Sequence, residues 1–140
     1  MTSKTPGPGT QEGVMLLEAL IGILIFSIGI LALLGMQATA MRATIDAKYR
    51  SEAAFLANEI IGTMWVDRAN IASYATATCS GYTECNNWLT RLQARLPNAT
   101  GANAPTIVIA GQQATVTIFW QRPGDSNISQ HIAVAQINNS

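Results

Sequence analysis

Between Glu18 and Arg42 the chain runs through 23 consecutive uncharged residues, ALIGILIFSIGILALLGMQATAM. As a helix this stretch is long enough to cross a bilayer, which takes about 20 predominantly apolar residues. Composition agrees: 11% of the residues are charged and 49% are hydrophobic, whereas soluble domains carry roughly 25% charged residues. Upstream lies MTSKTPGPGTQEG, in which Pro6, Gly7, Pro8 and Gly9 forbid a stable helix. It reads as a leader or a tail. Downstream no proline occurs until Pro97, and Met41, Ile45, Tyr49, Ala53, Leu56, Ile60 and Met64 recur at three- and four-residue steps. The helix is therefore expected to continue past the membrane.

A helix from Val14 to about Arg68 would be roughly 80 Å long at 1.5 Å per residue. A chain of 140 residues cannot bury that much helix in one globule. Its first half is expected to enter lipid or meet other subunits, and its second half to lay the stripe from Ile45 to Met64 on a small domain. Arg42, Asp46, Lys48, Arg50, Glu52, Glu59 and Asp67 fall on the other faces and read as solvated surface.

The rest of the chain reads as that small domain. Asn86 or Asn87 is expected to cap a short helix with Trp88, Leu89, Leu92 and Leu96 on one face, stopped by Pro97. Residues 106–110 (TIVIA), 114–121 (ATVTIFWQ) and 130–137 (QHIAVAQI) are β-branched and apolar at alternate positions, so each reads as a strand. Gly111 and Gln112 sit where a hairpin turn belongs, and residues 123–127 (PGDSN) make a longer second connection. The expected fold class is α+β, a long N-terminal helix on a three-stranded antiparallel meander. Trp65, Trp88 and Trp120 are expected in its core.

Charge and residue usage exclude several functions. Eight basic side chains offset eight acidic ones, leaving no global field to draw in nucleic acid. Arg91, Arg95 and Arg122 are the residues from which a local DNA-contacting patch would have to be built, but Arg91 and Arg95 read as the solvent face of their helix. One histidine and two cysteines rule out His-rich zinc sites and iron–sulfur frameworks. No nucleophile set or acid–base pair can be assembled around His131, so neither a catalytic residue nor a cofactor is expected.

Glu18 sits one turn inside the apolar stretch that opens at Val14, where a carboxylate is costly unless it reaches water or a partner. Gly13, then Val14, Met15, Leu16 and Leu17, then Glu18 and the apolar run together resemble the class III signal of type IV prepilins. The resemblance implies that a prepilin peptidase cuts between Gly13 and Val14 and methylates the new amine of Val14. It implies too that Glu18, then the fifth residue, pairs with the N-terminal amine of a neighbouring subunit during assembly. Opposite charges in a low dielectric attract strongly, and neither is tolerated alone. Val14 stands where the family usually has phenylalanine. A narrower resemblance, over GILALLGMQATAMR and RSEAAFLANEIIGTMWVDRAN between Gly29 and Asn70, is to the PilV type of minor pilin.

The family organisation implied is a leader (1–13), a long helix (14–70, of which about 14–41 spans the membrane) and a small periplasmic domain (71–140). Implied partners are other pilin subunits, the peptidase and, before assembly, the inner membrane, with the N-terminus cytoplasmic. The implied function is to initiate or cap type IV pilus assembly. Alternatives are a minor pseudopilin of a type II secretion system, and a secreted or anchored binding module. Ala38, Thr39 and Ala40 fit a signal-peptide cleavage site, although the apolar core is too long for one and Glu18 interrupts its start. Cys79 and Cys85 enclose SGYTE, a spacing poor for zinc and wrong for a thioredoxin-like pair. In an oxidising periplasm they are expected to close a small disulfide loop, the alternative being two reduced cysteines.

Overall fold

A computed structural model describes residues 11–138; the prolines and glycines of the expected leader, within 1–10, lie outside the described residues. Helix α1 (Gln11–Val66) leads into a 3₁₀ segment (Arg68–Tyr74), helix α2 (Thr76–Cys79), helix α3 (Thr83–Arg95), a 3₁₀ turn (Gly101–Asn103) and strands β1 (Thr106–Ala110), β2 (Gln113–Gln121) and β3 (Ile128–Gln136). The strands form one antiparallel sheet in the order β1-β2-β3. This is the expected α+β fold, a long N-terminal helix with a small antiparallel meander, and it is type IV pilin-like. The chain divides into two compact units, Met1–Ile45 and Asp46–Ser140.

In the second unit the last turns of α1 bury Ala53, Leu56, Ala57, Ile60 and Met64, while Tyr49 packs at the margin. The apolar stripe is thus shorter than its sequence period. Met41 and Ile45 share that period but are exposed, and both belong to the first unit. Trp65 also departs from expectation and is 42% exposed. It follows Met64 directly, and a step of about 100° around the helix carries it off the buried stripe.

Helix α3 begins at Thr83, not at Asn86 or Asn87, and Tyr82 precedes it in extended conformation without a side-chain cap. The Asn86 N–H already donates to the Tyr82 carbonyl at 2.8 Å, so Asn86 lies inside the first turn. The bridge from Cys79 to Cys85 holds this turn against α2, and Glu84 places negative charge at its N-terminal end. Trp88, Leu92 and Leu96 are buried with Leu89 beside them, and the helix ends at Arg95, with Leu96 as its extended C-cap just before Pro97.

Three contacts tie α3 to α1. The Trp88 indole N–H donates to the Leu56 carbonyl at 2.8 Å, Arg91 pairs with Glu59 at 2.6 Å and Arg95 with Glu52 at 2.7 Å. The ion pairs run in opposite order along the two helices, which are therefore antiparallel. Both arginines are about half exposed, so each pair contributes about 0–1 kcal/mol and fixes the register more than it stabilises.

Central β2 turns Ala114, Val116, Ile118 and Trp120 inward, all fully buried, and Ile107 of β1 joins them. The β1–β2 turn has two residues, Gly111 and Gln112; only Gly111 takes a positive φ, 61°, the arrangement that suits glycine at the first position of a tight hairpin. In the longer second connection Arg122 pairs with Asp125 at 2.6 Å. Asp125 Oδ1 also accepts the Asn127 N–H at 3.0 Å.

Candidate functional site

The first unit carries the candidate site. Every residue of α1 from Gly13 to Ile45 is exposed, a run that includes Val14 and Glu18. Gly13 and Val14 both lie within α1, so the bond between them is helical. Four residues separate Val14 from Glu18, which sets them on one face about 6 Å apart along the axis. Among the described residues α1 is the one helix long and apolar enough to cross a membrane, and none of its most apolar window is buried. That match of length, hydropathy and exposure suits a single-pass membrane helix.

The hydroxyls on this surface are satisfied within the helix. Ser27 Oγ donates to the Ile23 carbonyl at 2.7 Å and Thr39 Oγ1 to the Gly35 carbonyl at 3.2 Å. Hydroxyls bonded back in this way cost little in lipid, where a free one is expensive. A Cβ built on Gly22, Gly29 or Gly35 would meet no neighbouring atom. Contacts within the chain therefore do not require glycine at these positions.

The cysteines are joined as expected. Cys79 and Cys85 form a disulfide with a Cα separation of 5.0 Å, and both are buried. Within the loop Tyr82 donates its phenol hydrogen to Asp67, which also accepts from Tyr74 at 2.9 Å and from Asn70 Nδ2 at 2.8 Å. These donors, Tyr82 foremost, hold the Asp67 carboxyl below the usual carboxylate range. Burial, reinforced by Asp67, pushes the Tyr74 phenol up. The Tyr74 and Tyr82 rings meet edge to face at 5.1 Å. Sequence reasoning missed this cluster and left Asp67 as mere surface.

The expected sites are not brought into one place. Gly13, Val14 and Glu18 lie in the first unit, the disulfide in the second. Arg91, Arg95 and Arg122 each pair with a carboxylate of the chain, which consumes the charge a DNA-contacting patch would need. His131 sits half-exposed on β3 opposite Ile118. Among the described residues no three metal-capable side chains gather. No family model, curated protein or solved structure matches the chain.

Proposed function

We propose that the chain is a minor pilin of a type IV pilus, of the PilV type, that helps to initiate or cap the filament. In this reading it is made as a prepilin, inserts in the inner membrane with its N-terminus in the cytoplasm, and is cut between Gly13 and Val14. The amine of Val14 is methylated, and the apolar helix packs against other pilin subunits. The observation that carries the reading is Glu18, the single charge between Gly13 and Arg42, one turn from Val14 on a wholly exposed apolar helix. A lone carboxylate in such a segment is costly unless it meets a cation. The new amine of a neighbouring subunit supplies one.

Support also comes from the combination of that helix with a small sheet-containing domain whose α2 and α3 are joined by a disulfide, an arrangement that suits an exported subunit more than a free anchor. Mass spectrometry of the N-terminal peptide, taken from membranes and from sheared pili, tests the proposal. The expected result is a chain beginning at methylated Val14. A chain beginning at Met41 would mean signal-peptide cleavage and overturn the reading. Recovery with secretion-system pseudopilins in place of pili would move the protein to the alternative assembly.

A further inference from the structure

The two edges of the sheet are treated differently. On β1, Thr76 covers the edge: its Oγ1 accepts the Ile107 N–H at 2.7 Å and donates to the Ile107 carbonyl at 3.0 Å. Among the described residues the sheet ends at β3 without a further strand. The Ile137 N–H donates to the Gln112 carbonyl at 2.6 Å, and backbone groups alternate in direction along an antiparallel strand. Ser129, His131, Ala133 and Ala135 therefore face β2, while Ile128, Gln130, Ile132, Val134 and Gln136 turn both N–H and C=O toward the open edge. The same alternation on β1 turns Ile107 outward, where Thr76 meets it.

Exposed edges are ordinarily guarded by lysine, proline, a bulge or a cover. From Ile128 to Gln136 the sequence ISQHIAVAQ has no charged residue and no proline, and its nine residues pair without a bulge against β2. The outward side chains Ile128, Ile132 and Val134 are each more than half exposed.

We propose that the open edge of β3 pairs antiparallel with β3 of a second copy of this chain, about a two-fold axis at Ile132. In that register Ile132 faces Ile132 of the other copy, Gln130 faces Val134 and Ile128 faces Gln136. Every residue that offers backbone groups at the edge then meets another that does, and none of the groups is left over. A strand that meets itself brings equivalent residues together, so like charges on it would repel. β3 carries none, and His131 is placed opposite Ala133, away from its own copy. The absence of charge admits a second copy, and the five edge-facing residues are symmetric about Ile132, so a second copy engages all of their backbone groups at once. The pairing is independent of the pilus reading.

Oxidative cross-linking of the full chain in membranes tests the register. In the proposed pair the Cα atoms of Ile132 lie about 5.5 Å apart, within disulfide reach, whereas those of Ile128 lie roughly 27 Å apart. The Ile132→Cys variant is expected to give a covalent dimer and Ile128→Cys to give none. Gln130→Cys mixed with Val134→Cys is expected to cross-link, and Gln130→Cys alone to lose the product. Adding Val134→Pro to Ile132→Cys should abolish the dimer while sparing the ladder with β2, because the Val134 N–H points away from β2. Equal cross-linking at Ile128 and Ile132, failure of the mixed pair, or a product joined to a different protein would each overturn the proposal.

Discussion

Tyr82, inside the disulfide loop, donates its phenol hydrogen to Asp67, the residue that follows the last turn of α1. A carboxylate at a helix C-terminus meets the unfavourable end of the dipole. Here Tyr82, Asn70 and Tyr74 offset that effect with three hydrogen bonds, so the end of α1, the 3₁₀ segment and the loop are held by one acceptor. Asp67→Ala strands two phenols and an amide at once, whereas Tyr82→Phe removes one donor of three. Both substitutions are expected to lower the Tm, the alanine by clearly more. Thermal denaturation followed in the near-UV checks the order, and an unchanged Tm for Asp67→Ala would show that the cluster does not stabilise the fold.

The same groups set the pH limits of stability. Asp67 and Asp125 titrate below the ordinary 3.8 in the folded chain, Asp67 through Tyr82 first and Asp125 through the Asn127 N–H and then Arg122. Their contribution is complete above about pH 4 and is lost as pH falls through the lowered values. Tyr74, through burial first, and Tyr82, through Asp67 first, titrate above the ordinary 10. Their contribution is complete below about pH 10 and is lost as pH rises toward the raised values. Denaturation midpoints should form a plateau that falls at both ends. Asp67→Asn should shrink both falls, since it removes the low-titrating acid and the charge that raises the phenols.

Two buried tryptophans make a paired test of hydrogen bonding in the core. The Trp88 indole donates to Leu56, whereas the Trp120 indole N–H is buried with no partner among the described residues. Both rings are essentially inaccessible, so replacement by phenylalanine removes similar packing at each. Trp88→Phe is expected to cost at least about 1 kcal/mol more than Trp120→Phe, because the first loses a hydrogen bond and the second removes a buried donor that has none. Trp88→Ala should cost about 3–5 kcal/mol through the cavity it leaves. Urea titration of the three variants measures the differences, and an equal cost for the two phenylalanines would remove the Leu56 bond from the account.

Much of this fold was legible because it is periodic. Strand β1 occupies the expected residues 106–110, and β2 and β3 begin one and two residues before expectation, since alternation marks a strand's middle better than its ends. The cluster on Asp67 was not legible. Its donors lie three, seven and fifteen residues away along an aperiodic connection, and only the turn through α2 and the disulfide brings Tyr82 back to the helix end. The start of α3 was misplaced for a related reason: the asparagines are good caps locally, but the bridge at Cys85 lies upstream of them and folds the chain into helix earlier. The Glu52 and Glu59 pairs were hidden too, because each partner lies on a different helix. Glu18 was legible as a break in an apolar run.

Glu18 separates an assembly role from a passive anchor. Val14 and Glu18 share a face one turn apart, so under the proposed cleavage and assembly the carboxylate would have two cations within its reach, its own amine and that of an adjacent subunit. Only the second makes it matter for polymerisation. Glu18→Ala removes an acid from an apolar helix, so insertion is expected to be unchanged or slightly improved. Incorporation into the filament is expected to fall, because the neighbour's amine is left in low dielectric without a counter-charge. For the proposed initiating or capping subunit the loss should be partial, since a subunit at the tip would meet fewer neighbours than one in the shaft. Leader cleavage, membrane fraction and recovery in sheared pili, scored separately, distinguish the steps. Normal cleavage and insertion with reduced recovery is the expected pattern, and full recovery would show that Glu18 does not direct assembly.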